Sequence, residues 1–256
     1  MAALAPPVGK VYLVGAGPGA QDLITLRGAR LLAQADVVLH DALVTAEMLA
    51  LCPQAEKILV GKRCGQLSTA QQFINKQLVD NAKKHALVVR LKGGDPMLFG
   101  RADEELHALE QAGIDVEVVP GITTAVAAAA ATKQPLTKRG ISRSVAFFTS
   151  STAPELEGQS VIPDTDTLVQ YMGGREASVT AQRLLDQGRR PETPVVVIEN
   201  CSRPDQRIRR LTLATLAHGL GPAHGPVLVM LGEAMQRRDK QGVDDVEPEE
   251  LVRLQA

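Results

Sequence analysis

The sequence predicts two α/β domains with a cleft between them, the first built on a mainly parallel sheet, and three observations carry that prediction. Short apolar runs alternate with longer helix-compatible runs through the first half, the rhythm of strands and crossover helices covering both faces of a parallel sheet. Residues 133–142 hold Pro135, Gly140 and three basic residues without apolar periodicity, and read as a linker. Beyond them strand-like runs resume, less regularly.

Taken in order, residues 1–9 form a loose apolar tail, and an N-terminal α/β domain spans 10–132. Within it residues 11–14 read as a strand and 23–34 as a helix; 37–39 as a strand, followed by a helix through Met48 to Leu51. Residues 58–60 are a third strand, before an amphipathic run with Phe73, Ile74, Gln77 and Leu78. A strand at 87–91, a helix at 104–112 and a strand at 116–119 complete the rhythm. Pro120-Gly121 stops that strand, and Thr123 is placed to cap an alanine-rich helix reaching Ala131. In a C-terminal α/β domain over 143–238, residues 145–148, 167–169, 195–198 and 227–230 read as strands and 177–185 as a helix. Residues 206–213 alternate as an antiparallel strand would. The acidic tail 239–256 is expected to be solvated.

Composition excludes several classes. A net charge of −1, from 28 basic and 29 acidic residues, lacks the overall basic footprint of a nucleic-acid or anionic-membrane binder. No apolar run approaches the length of a bilayer span. Three cysteines, Cys52, Cys64 and Cys201, share no metal-ligand spacing, so neither a metal site nor a disulfide framework is expected, and a reducing cytoplasm fits.

Two glycine-rich loops carry the chemistry. Leu91-Lys92-Gly93-Gly94-Asp95-Pro96-Met97-Leu98-Phe99-Gly100-Arg101 lies between a strand and a helix, at the strand edge where open α/β sheets bind small ligands. Gly15-Ala16-Gly17-Pro18-Gly19-Ala20 follows the first strand and nominally fits the dinucleotide fingerprint, with Asp41 ending the second strand where a ribose-binding acid would sit. A nicotinamide oxidoreductase is therefore one reading. Pro18 counts against it, because the fingerprint aims backbone N–H groups at a pyrophosphate and proline has none. S-adenosylmethionine, a nucleoside without phosphate, would not miss that donor.

The ordered set Val14-Gly15-Ala16-Gly17-Pro18-Gly19, Ala35-Asp36-Val37-Val38, Gly61-Lys62-Arg63, Arg90-Leu91-Lys92-Gly93-Gly94-Asp95-Pro96 and Val119-Pro120-Gly121-Ile122-Thr123, followed by Pro135-Leu136-Thr137, Tyr171-Met172-Gly173 and Glu199-Asn200, resembles the tetrapyrrole methylase superfamily, and within it the uroporphyrinogen-III C-methyltransferases. The resemblance runs from about Lys10 to Asp239. It implies a two-domain homodimer that binds S-adenosylmethionine in the interdomain cleft and methylates uroporphyrinogen III at C2 and C7, giving precorrin-2 for sirohaem or cobalamin. By motif position it implies cofactor contacts at Pro18, Gly93, Gly94, Asp95, Leu98, Thr123, Thr124, Met172 and Cys201. It makes Asp41 the proton acceptor and Lys62 the proton donor. A substrate with eight carboxylates calls for fork-like donors, and Arg63, Arg101, Arg139 and Arg143 lie in or beside the motif loops. The chain departs from the common pattern at Ala42, at Lys138 and at Thr149-Ser150-Ser151, all on the side of the macrocycle rather than of the cofactor. A sibling acting on a later corrin intermediate is the other reading within the superfamily.

Overall fold

The computed structural model describes residues 9–60, 67–150 and 161–237. In chain order the strands of the first half are β1 (Lys10–Gly15), β2 (Val37–His40), β3 (Glu56–Leu59), β4 (Leu87–Lys92) and β5 (Val116–Val119). The helices between and after them are α1 (Leu26–Leu32), α2 (Ala46–Leu49), α3 (Leu67–Ala82), α4 (Ala102–Gln111) and α5 (Thr124–Thr132). The second half contributes β6 (Val145–Thr149), β7 (Thr167–Tyr171), α6 (Gly173–Asp186), β8 (Pro194–Glu199), β9 (Arg207–Thr212), α7 (Leu213–Ala217) and β10 (Val227–Leu231).

The first five strands form one sheet in the order β3-β2-β4-β1-β5, every pair parallel. A parallel sheet needs apolar cover on both faces. One face is packed by Val11, Leu13, Leu39 and Val88 with Leu78 and Leu109 of α3 and α4; the other by Val14, Val38, Val89 and Leu91 with Leu32 and Met48 of α1 and α2. All the strands end on the same edge, so the loops after β1, β2, β4 and β5 are gathered there.

The second sheet has the order β6-β7-β10-β8-β9 and is mixed: β6 and β7 run parallel, and the other pairs are antiparallel. The alternating run at 206–213 is β9, the edge strand paired with β8. Its arginines Arg207, Arg209 and Arg210 leave the edge charged, which discourages further strand pairing. One face of this sheet is covered by α6 and α7, through Ala177, Leu184, Leu213 and Leu216. The other receives Ala125, Ala127 and Ala128 of α5 against Val169, Ile198 and Met230. Small alanines let the helix backbone come close, so α5, which follows the last strand of the first sheet, is packed on the second.

Several elements differ from the sequence expectation, for local reasons. The helix foreseen over 23–34 is a short 3-10 turn at Gln21–Leu23 and then α1, because Thr25 takes an extended backbone and its hydroxyl accepts the Gly28 N–H at 3.1 Å. The helix foreseen from Ala177 starts four residues earlier, where Met172 adopts a left-handed φ of 56° and turns the chain off β7. Thr123 does occupy the N-cap position of α5, yet its hydroxyl makes no cap bond. It pairs at 2.5 Å with the Tyr171 hydroxyl, and that same phenol oxygen accepts the Ala125 N–H at 3.1 Å. A side chain from the second sheet thus caps a helix that follows the first.

Candidate active site

The two glycine-rich loops meet. Gly17 and Gly94 exchange backbone hydrogen bonds, Gly17 N–H to Gly94 O at 3.1 Å and Gly94 N–H to Gly17 O at 2.7 Å. β1 and β4 are adjacent in the sheet, so their C-terminal loops leave side by side and continue the pairing for one more bridge. Asp95 then ties in the loop after β5: its carboxylate accepts Met97 N–H at 2.8 Å and Gly121 N–H at 2.9 Å. Asp95 is therefore the brace of the wall, with one oxygen committed to each backbone amide. Gly94 has a φ of +70°, and a Cβ built on it would meet no atom within 4 Å. Gly94 thus leaves its main chain open on that side, room that a ligand approaching the backbone would use.

Asp41 stands at the end of β2, beside that wall. Its Oδ1 accepts the Leu43 N–H at 2.8 Å, and its Oδ2 lies 3.5 Å from the Gly93 amide nitrogen. The carboxylate is held at both ends by backbone, which fixes its direction. Underneath, Arg90 and Lys92 of β4 are buried against Glu105 of α4, with Arg90 Nε–Glu105 Oε1 at 3.0 Å and Lys92 Nζ–Glu105 Oε2 at 2.8 Å. Burial, reinforced by the neighbouring Arg90 guanidinium, pushes the Lys92 ammonium pKa down despite Glu105.

The second half meets this edge at Tyr171. Met172 follows Tyr171 at the end of β7 and is 52% exposed, an apolar side chain presented rather than buried. Phe99, another residue with left-handed φ (52°), stacks obliquely on Tyr171 with ring centroids 5.0 Å apart. A bulky side chain in that backbone region is strained, and such strain concentrates at ligand sites. Phe147 approaches the same tyrosine edge-on at 6.1 Å. Burial pushes the Tyr171 phenol pKa up. Cys201 is buried in the apolar cluster under α5 and its thiol is pushed up to about 11 by burial; its backbone carbonyl lies against the glycine-rich turn, at Gly19.

Of the residues singled out from sequence, the structure brings Pro18, Asp41, Gly93, Gly94, Asp95 and Leu98 together on the edge of the first sheet. Thr123 and Thr124 sit at the start of α5, joined to Met172 through Tyr171. Lys62 and Arg63 lie outside the described residues. Arg101, left-handed at φ 54°, is paired with Glu104, Nε–Oε1 at 2.6 Å and Nη2–Oε2 at 2.7 Å. Arg139 is exposed in the turn closed by Lys138 and Ser142, and Arg143 is exposed at the entrance to β6. Sequence reasoning missed Tyr171 as a bridging residue, although it stands in the motif beside Met172. It also missed Arg203, which follows no motif glycine and whose Nη2 crosses from the second half to donate to Leu43 O at 2.8 Å.

An all-parallel sheet whose glycine loops join at its carboxyl edge, followed by a mixed sheet, defines a class: the chain belongs to the family of tetrapyrrole (corrin/porphyrin) methylases, whose pattern it matches over residues 10–217. The particular relatives are of two kinds. Among solved structures, it is similar to uroporphyrin-III C-methyl transferase from Thermus thermophilus complexed with S-adenyl homocysteine, at 40% identity and a TM-score of 0.77 over 89% of this chain and 94% of that one. A cobalt precorrin-4 methyltransferase is also similar, at 29% identity and a TM-score of 0.75, over 89% and 96%. Among curated proteins, siroheme synthase of Psychrobacter sp. is 43% identical over 91% of this chain. Siroheme synthase 2 of Yersinia pestis is 45% identical over 89%. The chain spans about half the length of these curated relatives, 49% of each.

Proposed function

We propose that the chain is an S-adenosylmethionine-dependent uroporphyrinogen-III C-methyltransferase that methylates C2 and then C7 to give precorrin-2. The observation that carries the reading is the Gly17–Gly94 join beside the Asp41 carboxylate: a main-chain cradle with Pro18 at its rim and an oriented base at its edge. The cradle fits a nucleoside without phosphate, since Pro18 withholds the amide a pyrophosphate would need. Similarity to a uroporphyrin-III C-methyl transferase over nearly the whole of that chain supports the choice of substrate over a later corrin intermediate.

S-adenosylmethionine, when bound, supplies an electrophilic methyl on a sulfonium. The residues to hold it are the backbone of Gly93, Gly94 and Thr124, the exposed edges of Leu98 and Met172, the Pro18 rim and the Cys201 carbonyl, with Thr123 and Asp95 keeping the two walls in place. A substrate pyrrole carbon forms a bond to the methyl carbon while the carbon–sulfur bond breaks, its electron pair returning to sulfur. The methylated carbon skeleton is then cationic and sheds one proton net, which Asp41 accepts; Lys62 is the proposed proton donor, and each proton it gives the ring is matched by a second that the ring releases. Much of the rate comes from holding carbon and methyl in line, and the base adds its own factor. Arg63, Arg101, Arg139 and Arg143 are the donors proposed for substrate carboxylates, and a cytoplasmic homodimer is the proposed working form. The halves 10–132 and 143–238, joined by 133–142, are its proposed domains.

The test is anaerobic incubation with S-adenosylmethionine and uroporphyrinogen III, followed by mass analysis of the tetrapyrrole. A gain of two methyl groups is expected, by way of a singly methylated species. No methyl gain, with tight binding of reduced nicotinamide dinucleotide instead, would support the oxidoreductase reading and sink this one.

A further inference from the structure

Arg203 lies in the loop between β8 and β9, in the second half, and reaches over to the first. The loop is bent by two residues with left-handed φ, Asn200 at 52° and Ser202 at 59°, and is braced by Asn200 Nδ2 donating to Asp205 at 2.6 Å and Ser202 N–H donating to Gln206 at 2.7 Å. Two grips leave it. Ser202 Oγ accepts the Ala20 N–H at 3.1 Å, and Arg203 Nη2 donates to Leu43 O at 2.8 Å. The stem of Arg203 passes over Gly19 so closely that a Cβ there would stand 2.8 Å from Arg203 Cγ. The last glycine of the turn is thus a seat for this arginine.

Leu43 is the hub on the receiving side. Its carbonyl takes Arg203, its N–H holds Asp41 Oδ1, and its side chain rests on Gly93, where a Cβ would stand 3.1 Å from Leu43 Cβ. Leu43 is itself 49% exposed and at the tip of a turn, so packing alone holds it weakly. A guanidinium pinned along its stem and donating to that carbonyl restrains the turn, and with it the direction of the carboxylate.

We infer that Arg203 is a positioning residue for methyl transfer: from the second half of the chain it fixes Leu43 and, through the Leu43 amide, the Asp41 carboxylate. The inference rests on Asp41 being the proton acceptor. The restraint crosses between the two halves, so the aim of the base depends on the contact of the loop after β8 with the turn after β2.

The test is a double-mutant cycle on the full chain, with single-turnover methylation of uroporphyrinogen III and the Kd for S-adenosylhomocysteine as the two readouts. Arg203→Met keeps the stem over Gly19 and removes the donor, so the seat stays filled as it would not be in Arg203→Ala. Arg203→Met is expected to slow methyl transfer by about tenfold or more with Kd unchanged, since a misplaced group remote from the chemistry costs that order. In an Asp41→Asn background the same substitution is expected to have no further effect, because both act through one group. Wild-type turnover in Arg203→Met, or an equal fold-loss in both backgrounds, overturns the inference. Wild-type turnover in Asp41→Asn alone instead overturns the assignment of the base, and is read separately.

Discussion

Asp41 is held by two backbone amides on neighbouring turns, so its position owes nothing to a ligand. Asp41→Ala is therefore expected to leave S-adenosylhomocysteine affinity unchanged by calorimetry while methylation slows by about 10²–10⁴, the usual contribution of a general base. Loss of cofactor binding with normal folding would move Asp41 out of that role. Cys201 gives a second residue-level prediction. Its thiol is raised from an ordinary 9.0 to about 11 by burial, so the folded state binds a proton that the unfolded state releases first. A group raised in this way stabilises fully below pH 9.0 and loses its contribution as pH climbs from there to about 11. Denaturant titrations at several pH values should show wild type losing more stability across that window than Cys201→Ala; parallel curves would refute it. Neither the Asp41 clamp nor the Cys201 burial was legible residue by residue. The resemblance named both as site residues, but that the Cys201 thiol is buried while its carbonyl lies by Gly19 depends on how α5 packs over the second sheet.

At the scale of elements, β4 is instructive. Residues 87–91 read as an apolar strand, and the strand is there, but Arg90 and Lys92 on it are almost wholly buried. A strand can bury a cation only if another element brings a counter-charge, and Glu105, on α4, lies 13 positions beyond Lys92. Two cations share one carboxylate, and α4 is stapled to the base of the very loop that carries Gly93 and Gly94. Glu105→Gln should cost about 3–5 kcal/mol in equilibrium unfolding, because it leaves both cations uncompensated. Replacing all three by Arg90→Met, Glu105→Leu and Lys92→Met should recover most of that loss. If Glu105→Gln unfolds at the wild-type midpoint, the triad carries no such load. The alanine-rich α5 shows the converse: its length was readable from composition, its partner was not, since alanines mark a close approach without saying to which sheet.

For the molecule as a whole, the two sheets are coupled by α5, by the Thr123–Tyr171 pair and by the loop after β8. A single cooperative transition is expected in calorimetry, and two well-separated transitions would show that the halves are independent. The sequence by itself determined the alternation of strand and helix, the parallel first sheet and the family, because periodicity and glycine-rich turns are local and survive in the order of residues. Only the tertiary structure decided that Gly17 pairs with Gly94, that Tyr171 caps α5 and that Arg203 reaches Leu43. These contacts join residues 46 to 160 positions apart, and no local pattern specifies them: they arise where parallel strands deliver their loops to one edge and a second sheet closes over it.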